Sequence, residues 1–245
     1  MASSATGFNE GTAAPTKYGR IGTARGSAIN AYYKFDGTVT DSSGNDLTLT
    51  LDAGTIRYCM IRSLQALACK GGLHLVLSAA DSSTIQQTGA RTVHVLICPD
   101  TVTDSATSDL IYVVGRDSGD TENLNTTAQL AIMSYEPVWT SEHGGGLNDD
   151  MILAGYSFIQ GVPILITVTR DASGEVQFYF NGTAVGSRFT DDAPTGGGDA
   201  ELCVGGFHGT SAYDYTGAIA ELQFLDIELT AAQVLEDAKK VMPWL

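Results

Sequence analysis

Two carboxylates at alternate positions are the first chemistry this sequence offers. In Glu221-Leu222-Gln223-Phe224-Leu225-Asp226-Ile227-Glu228, Asp226 and Glu228 stand two apart, and on a strand such residues share a face. A retaining glycosidase needs two carboxylates about 5–5.5 Å apart across the bond it cuts. Position 224 is Phe, however, and Phe224, Leu225 and Ile227 read as packing residues. Asp226 and Glu228 are therefore expected to face solvent, and the chain is expected not to be an enzyme. The histidines support that expectation. His74 and His94 sit inside strand-like runs, where a hydrogen-bonded structural imidazole is the common case, while His143 and His208 fall in glycine-rich loops. The His143-Gly144-Gly145-Gly146 run would serve an oxyanion hole only beside a Gly-x-Ser-x-Gly elbow, which the sequence lacks. Sugar recognition is the stronger chemistry. It pairs an aromatic platform with Asp or Asn hydrogen bonding, and Phe207, His208, Tyr213, Asp214 and Tyr215 offer such a set, with Trp139 in a second presumed loop.

The elements that must hold these residues read as all-β. Runs rich in Val, Ile, Thr, Tyr and Phe recur every 10–15 residues or so, separated by Gly/Asp/Ser/Asn turns such as Asp41–Asp46 and Asp171–Gly174. Strands are expected near 30–36, 46–51, 55–62, 73–78, 91–98, 109–115, 127–134, 163–170, 175–181, 200–205 and 217–227. The stretch from Ile166 to Gly182 is a hairpin around Asp171-Ala172-Ser173-Gly174. Along its second strand Val176, Phe178 and Phe180 face the core, with Glu175, Gln177 and Tyr179 on the opposite side. One helix is placed near the C-terminus. Thr230 and Gln233 form a capping box, Val234, Leu235, Ala238 and Val241 follow at helical spacing, and Pro243 stops it. A second short helix is considered at 62–68. Many strands with one terminal helix predict a two-sheet antiparallel jelly-roll sandwich.

Composition narrows the partners. With 13 Lys and Arg against 28 Asp and Glu the net charge is −15, and no basic run exists to grip a phosphate backbone. No apolar run approaches the length of a membrane span. Nucleic acid and membrane insertion are therefore excluded as expectations. Residues 1–30 differ from the rest: they are rich in Gly, Ala, Thr and Ser and show no export signal. They hold one acid, Glu10, against Lys17, Arg20 and Arg25, so this segment carries +2 and the remainder −17. Residues 1–30 are read as an extended arm that ties the chain to an assembly through Phe8, Lys17, Tyr18, Arg20, Ile21 and Arg25, and 31–245 as the jelly-roll domain. Without export, the four cysteines, Cys59, Cys69, Cys98 and Cys203, are expected as reduced thiols, a Cys59–Cys69 bridge being the one exception worth checking.

The order of motifs resembles the laminin-G-like branch of the concanavalin A-like lectin/glucanase jelly rolls. The carriers are Tyr32–Asn45 with its Asp-Ser-Ser-Gly turn, Arg91–Val102, Val162–Val185 with Tyr179 before Asn181-Gly182, Ala200–Phe207, and Tyr215–Val234 with the Leu229-Thr230 helix start. The segment 52–90 departs from the pattern. The resemblance implies a concanavalin A-like sandwich and raises calcium as the candidate ion at the sandwich edge, with no cofactor required. Calcium wants six to eight oxygens, and Asp149, Asp150 and Asp214 in oxygen-rich loops are its candidate ligands. Jelly rolls with an arm and an acidic surface are similar to bacteriophage virion proteins, at the head surface or in the tail. The resemblance thus implies a non-catalytic module located in a phage particle, whose partners are other virion proteins or copies of itself, with a cell-surface glycan as a further partner. A free extracellular carbohydrate-binding domain is the alternative.

Overall fold

The computed structural model describes residues 18–70, 72–85, 89–100, 111–117, 129–133, 136–143, 146–152, 156–190, 201–206 and 214–245. After a short 3-10 turn, Gly26–Ala28, the strands in chain order are β1 (Ile29–Tyr33), β2 (Thr50–Ala53), β3 (Tyr58–Ile61), β4 (Leu64–Cys69), β5 (His74–Leu77), β6 (Arg91–Pro99) and β7 (Ile111–Asp117). They continue as β8 (Gln129–Met133), β9 (Glu136–His143), β10 (Gly146–Ile152), β11 (Ile164–Arg170), β12 (Glu175–Phe180), β13 (Thr183–Thr190), β14 (Glu201–Val204) and β15 (Gly217–Leu225). Two helices complete the described set, α1 (Ala79–Ile85) and α2 (Ala231–Val241).

The strands form two antiparallel sheets. The first runs β13-β12-β11-β6-β15-β4-β3, with β1 pairing the C-terminal half of β15; the second runs β10-β9-β8-β7-β14-β5-β2. Period-two alternation builds the core between them. Val93, Val95, Ile97, Ile166, Val168, Val176 and Phe178 from the first sheet meet Leu75, Leu77, Leu202 and Val204 from the second. The expected two-sheet jelly-roll sandwich is therefore present, and Val176, Phe178 and Phe180 lie on its core side as their spacing predicts.

One local expectation fails, and two local features go beyond the sequence reading. Residues 62–68 are not a helix: Ile61 pairs with Leu64 across Arg62-Ser63, so β3 and β4 form a hairpin. β4 is apolar on both faces because it is covered on both, Leu67 and Cys69 by the core and Leu64 and Ala66 by a second cluster. On β12 the side opposite the core is covered as well, at Gln177 and Tyr179. They are buried, with Tyr179 packed against Leu229 and Val234 beneath the C-terminal helix. Finally, α1 fills part of the atypical 52–90 region, buries Ile85 in the core and uses Ser82 Oγ to accept from Leu202 N at 2.8 Å.

The outer face of the first sheet carries the terminal elements. The Thr230–Gln233 capping box is formed as expected, and α2 turns Val234, Ala238 and Val241 inward. The expected arm residues dock beside it, on their own domain. Tyr18 packs edge-on to Trp244 at 4.8 Å, and Gly19 N donates to Val241 O. Ile21 is buried. Arg20 donates to Lys34 O and Ala220 O and pairs with Glu221 at 3.2 Å. Arg25 pairs with Asp237 and Glu236. Tyr18, Arg20, Ile21 and Arg25 thus belong to the fold and are not a free tether. Two of the three bases behind the +2 segment are neutralised within the domain. Phe8 and Lys17 lie outside the described residues. All four cysteines are free thiols, so Cys59 and Cys69 form no bridge. Among the described residues no helix is long and apolar enough to cross a membrane.

Candidate functional site

The site grows from the sequence Gly72-Leu73-His74-Leu75-Val76-Leu77. Alternation sends Leu73, Leu75 and Leu77 into the core, so His74, the first residue of β5, points to the outer face of the second sheet. There its Nε2 lies 2.5 Å from Asp214 Oδ1, and its Nδ1 lies 3.9 Å from Asp52 Oδ2. Nε2–H donates to Asp214, and this hydrogen bond fixes the ring's orientation. Asp52 stands beyond hydrogen-bond distance of the other nitrogen. His74 itself is buried, while the Asp214 and Asp52 side chains keep 17% and 30% of their exposure, and the exposed part of Asp214 can accept a hydrogen bond from a ligand.

Glycines make this geometry fit. A Cβ on Gly206 would sit 2.4 Å from His74 Nε2 and 3.0 Å from Asp214 Oδ1, and one on Gly72 would sit 3.3 Å from Asp214 Oδ2. The imidazole and carboxylate therefore lie directly against backbone. Asp214 is anchored by its neighbour: Tyr215 N donates to Gly205 O at 3.0 Å, and the Tyr215 ring is buried in the main core. Burial pushes the Tyr215 hydroxyl pKa far up from the usual phenol range. This corrects the sequence reading of Tyr215 as part of a sugar-stacking platform, since a fully packed ring has no face to offer.

The remaining candidates do not join this site. Trp139 lies inside β9, not in a loop, where it is the register partner of Leu130, a core residue. Asp149 and Asp150 are likewise strand residues, in β10 opposite Ser141 and Thr140. Five strand steps separate β10 from β5, roughly 24 Å at the usual inter-strand spacing. Asp149, Asp150 and Asp214 thus do not form one calcium cage. Among the described residues no group of three or more His, Cys, Asp or Glu is placed to hold a metal ion. Phe207, His208 and Tyr213 lie outside the described residues. Asp226 and Glu228 follow the end of β15, and Glu228 is bound to Arg188, so they do not alternate on a strand as a catalytic pair would. His74 was legible as an outward-facing residue from its leucine flanks. Its partners, 22 and 140 positions away, had no local signal.

Two packed antiparallel sheets in this strand order make a jelly-roll sandwich. A family profile described as the Concanavalin A-like lectin/glucanases superfamily matches residues 73–235, and the chain belongs to that family. Solved structures agree on the fold. Domain 4 of AbnA, a GH43 extracellular arabinanase from Geobacillus stearothermophilus solved with arabinotriose, superposes with a TM-score of 0.65 at 19% identity, covering 91% of this chain and 100% of that domain. A botulinum neurotoxin type C structure, described as showing cell entry dependent on two ganglioside molecules, gives 0.65 at 13% identity over 90% of this chain and 53% of that one. The binding domain of Paraclostridial Mosquitocidal Protein 1 gives 0.63 at 10% identity, over 86% and 52%. The chain thus spans about half the length of the two toxin structures. No curated protein sequence matches the chain.

Proposed function

We propose that this chain is a non-catalytic carbohydrate-binding module, and that Asp214, oriented by His74 with Asp52 alongside, accepts hydrogen bonds from glycan hydroxyls. The carrying observation is the His74–Asp214 bond: it holds a partly exposed carboxylate in one orientation, which lowers the ordering cost of binding. The position of Asp226 and Glu228 beyond the end of β15, with Glu228 bound to Arg188, supports the non-catalytic part. The solved neighbours support the ligand class, since one holds arabinotriose and another is described by its gangliosides. The test is a glycan array followed by titration calorimetry on the best ligand, arabinotriose included in the panel. Asp214→Ala is expected to weaken binding at least ten-fold while the domain stays folded. Undiminished binding by that variant overturns the site, and turnover of a polysaccharide panel overturns the non-catalytic reading.

The finer reading is a bacteriophage virion protein, at the head surface or in the tail, with the sandwich facing outward. It is supported by the acidic domain and by the small-residue segment that precedes Tyr18. Because Tyr18, Arg20, Ile21 and Arg25 are built into the domain, the contact with other virion proteins or further copies falls to residues 1–17. Deleting 1–17 is expected to leave a folded module that no longer joins its assembly. Normal assembly of the truncated chain sinks this reading in favour of a free extracellular module.

A further inference from the structure

A second polar site lies at the opposite end of the sandwich. β15 begins at Gly217, close in sequence to Asp214, and ends at Leu225, which pairs with Ile29 at the start of β1. Its nine residues separate the two ends by roughly 27 Å at the rise of an antiparallel strand. At that far end a cavity of about 310 Å³ is lined by Asn30, Asn45, Leu47 and Thr84. The volume falls at the small end of ligand pockets, roughly 300–1,000 Å³.

The walls are rigid. Asp41 accepts from Tyr32 N at 2.9 Å, Ser43 N at 2.8 Å and Leu47 N at 3.2 Å, which locks the turn that carries Asn45. Asn45 Nδ2 donates to Ile29 O at 3.1 Å and Asn30 O at 2.8 Å, pinning the amide across β1. Its Oδ1 is left to accept from a ligand. The Asn30 side-chain amide, at the β1 bulge, makes no hydrogen bond among the described residues and offers both a donor and an acceptor. Thr84 Oγ1 donates to Asp81 O and keeps its lone pairs. Leu47 is buried and supplies an apolar wall.

Amides and a hydroxyl around an apolar wall, with no charged side chain among the described lining residues, suit a small neutral polyol. Each sugar hydroxyl is both donor and acceptor, as an amide pair is, and the C–H face of a ring matches Leu47. We infer that the Asn30–Asn45–Leu47–Thr84 cavity is a second carbohydrate site, sized for one terminal sugar unit and separate from the Asp214 site.

The test uses amide-resolved NMR titration of the full chain with D-galactose, D-glucose, N-acetyl-D-glucosamine and L-arabinose. Saturable shifts are expected for at least one sugar at the Asn30 and Asn45 side-chain amides and at backbone positions 29–31, 41–47 and 81–85. Asn30→Ala and the near-isosteric Asn30→Asp should each weaken that binding at least ten-fold, with both variants checked for an unchanged thermal transition. Asp214→Ala should leave these shifts intact, so failure of the Asp214 site and failure of this one are read separately. The inference is overturned if none of the four sugars shifts these residues, if neither Asn30 variant weakens the binding, or if Asp214→Ala removes it.

Discussion

Each sheet sets a histidine against an aspartate on its outer face, and the two pairs have opposite surroundings. His94 on β6 and Asp237 on α2 are both buried, with Nε2 3.7 Å from Oδ2, and α2 and the segment around Arg25 close over them. His74 on β5 meets Asp214 at 2.5 Å, and its carboxylate remains partly open. In the buried pair the aspartate's charge is claimed elsewhere: Arg25 donates to Asp237 Oδ2 at 3.1 Å, and Lys240 to Oδ1 at 2.7 Å. His94 instead bonds Thr167 through Nδ1, and its Nε2 makes no hydrogen bond among the described residues. Burial is the main force holding its pKa down at about 4, with Asp237 opposing and Arg25 and Lys240 assisting. One pair is a sealed clasp between sheet and helix, whereas the other is an oriented carboxylate that a ligand can reach. The residue types alone do not distinguish the two; what covers each pair does.

The largest effect that separates them is expected at Asp237. Asp237→Ala leaves the Arg25 guanidinium and Lys240 without their central acceptor in a buried setting. Breaking one partner of such a network costs about 3–5 kcal/mol. Urea unfolding should show that loss, with glycan affinity of the folded protein unchanged. An effect below about 1 kcal/mol would show that α2 is not clasped through this residue.

Next comes the pH dependence of His94. Its folded pKa lies below the unfolded value, so the unfolded chain binds the extra proton first. The stabilisation is full above about pH 6.5 and is lost as pH falls towards about 4. A shift of this size corresponds to a loss on the order of 3 kcal/mol. Glu221 works in the opposite sense. Burial raises its folded pKa against the pull of Ile21 N, Arg20 and Tyr32, so acid relieves a penalty there. Stability measured from pH 7 to pH 4 in the wild type and in His94→Gln isolates the histidine: the difference between the two curves should narrow as acid is added.

A glycine gives the third effect. Gly206→Ala places a methyl 2.4 Å from His74 Nε2, and the ring or the loop must move. Overpacking of this kind costs about 1–3 kcal/mol. Here the loss of stability should come with a loss of glycan affinity, which Asp237→Ala does not show. Unchanged affinity would detach the His74–Asp214 geometry from binding.

The legible part of the molecule was local. Alternation at Val176 and Phe178, the Thr230–Gln233 box and the ordered hairpins were sufficient for the sandwich and its terminal helix. Elements buried on both faces defeated the same reading: β4 lost its alternation signal because α2 and the residues around Tyr18 cover the side that would ordinarily be polar. For that reason too the Tyr18–Arg25 segment read as a tether, since the acids that hold it, Glu221 and Asp237, lie about 200 residues away. Asp214 was found through its aromatic neighbours, yet Tyr215 serves as its anchor, and the imidazole that orients it comes from the far side of the chain.

Asp214→Asn gives the smallest expected change in stability and the most direct contrast. The amide keeps the shape of the carboxylate, and its Oδ1 still accepts from His74 Nε2–H. The residue is partly exposed and solvent can take up what is lost, so the cost should stay within about 1 kcal/mol, as for other polar changes near a surface. Binding should nevertheless fall, because the charged acceptor for ligand hydroxyls is gone and charge-assisted hydrogen bonds are roughly twice as strong as neutral ones. If Asp214→Asn instead unfolds the protein as Asp237→Ala does, the two pairs are the same kind of clasp. The contrast also collapses if stability and affinity are both untouched, for then the open pair does nothing that its sealed counterpart does not.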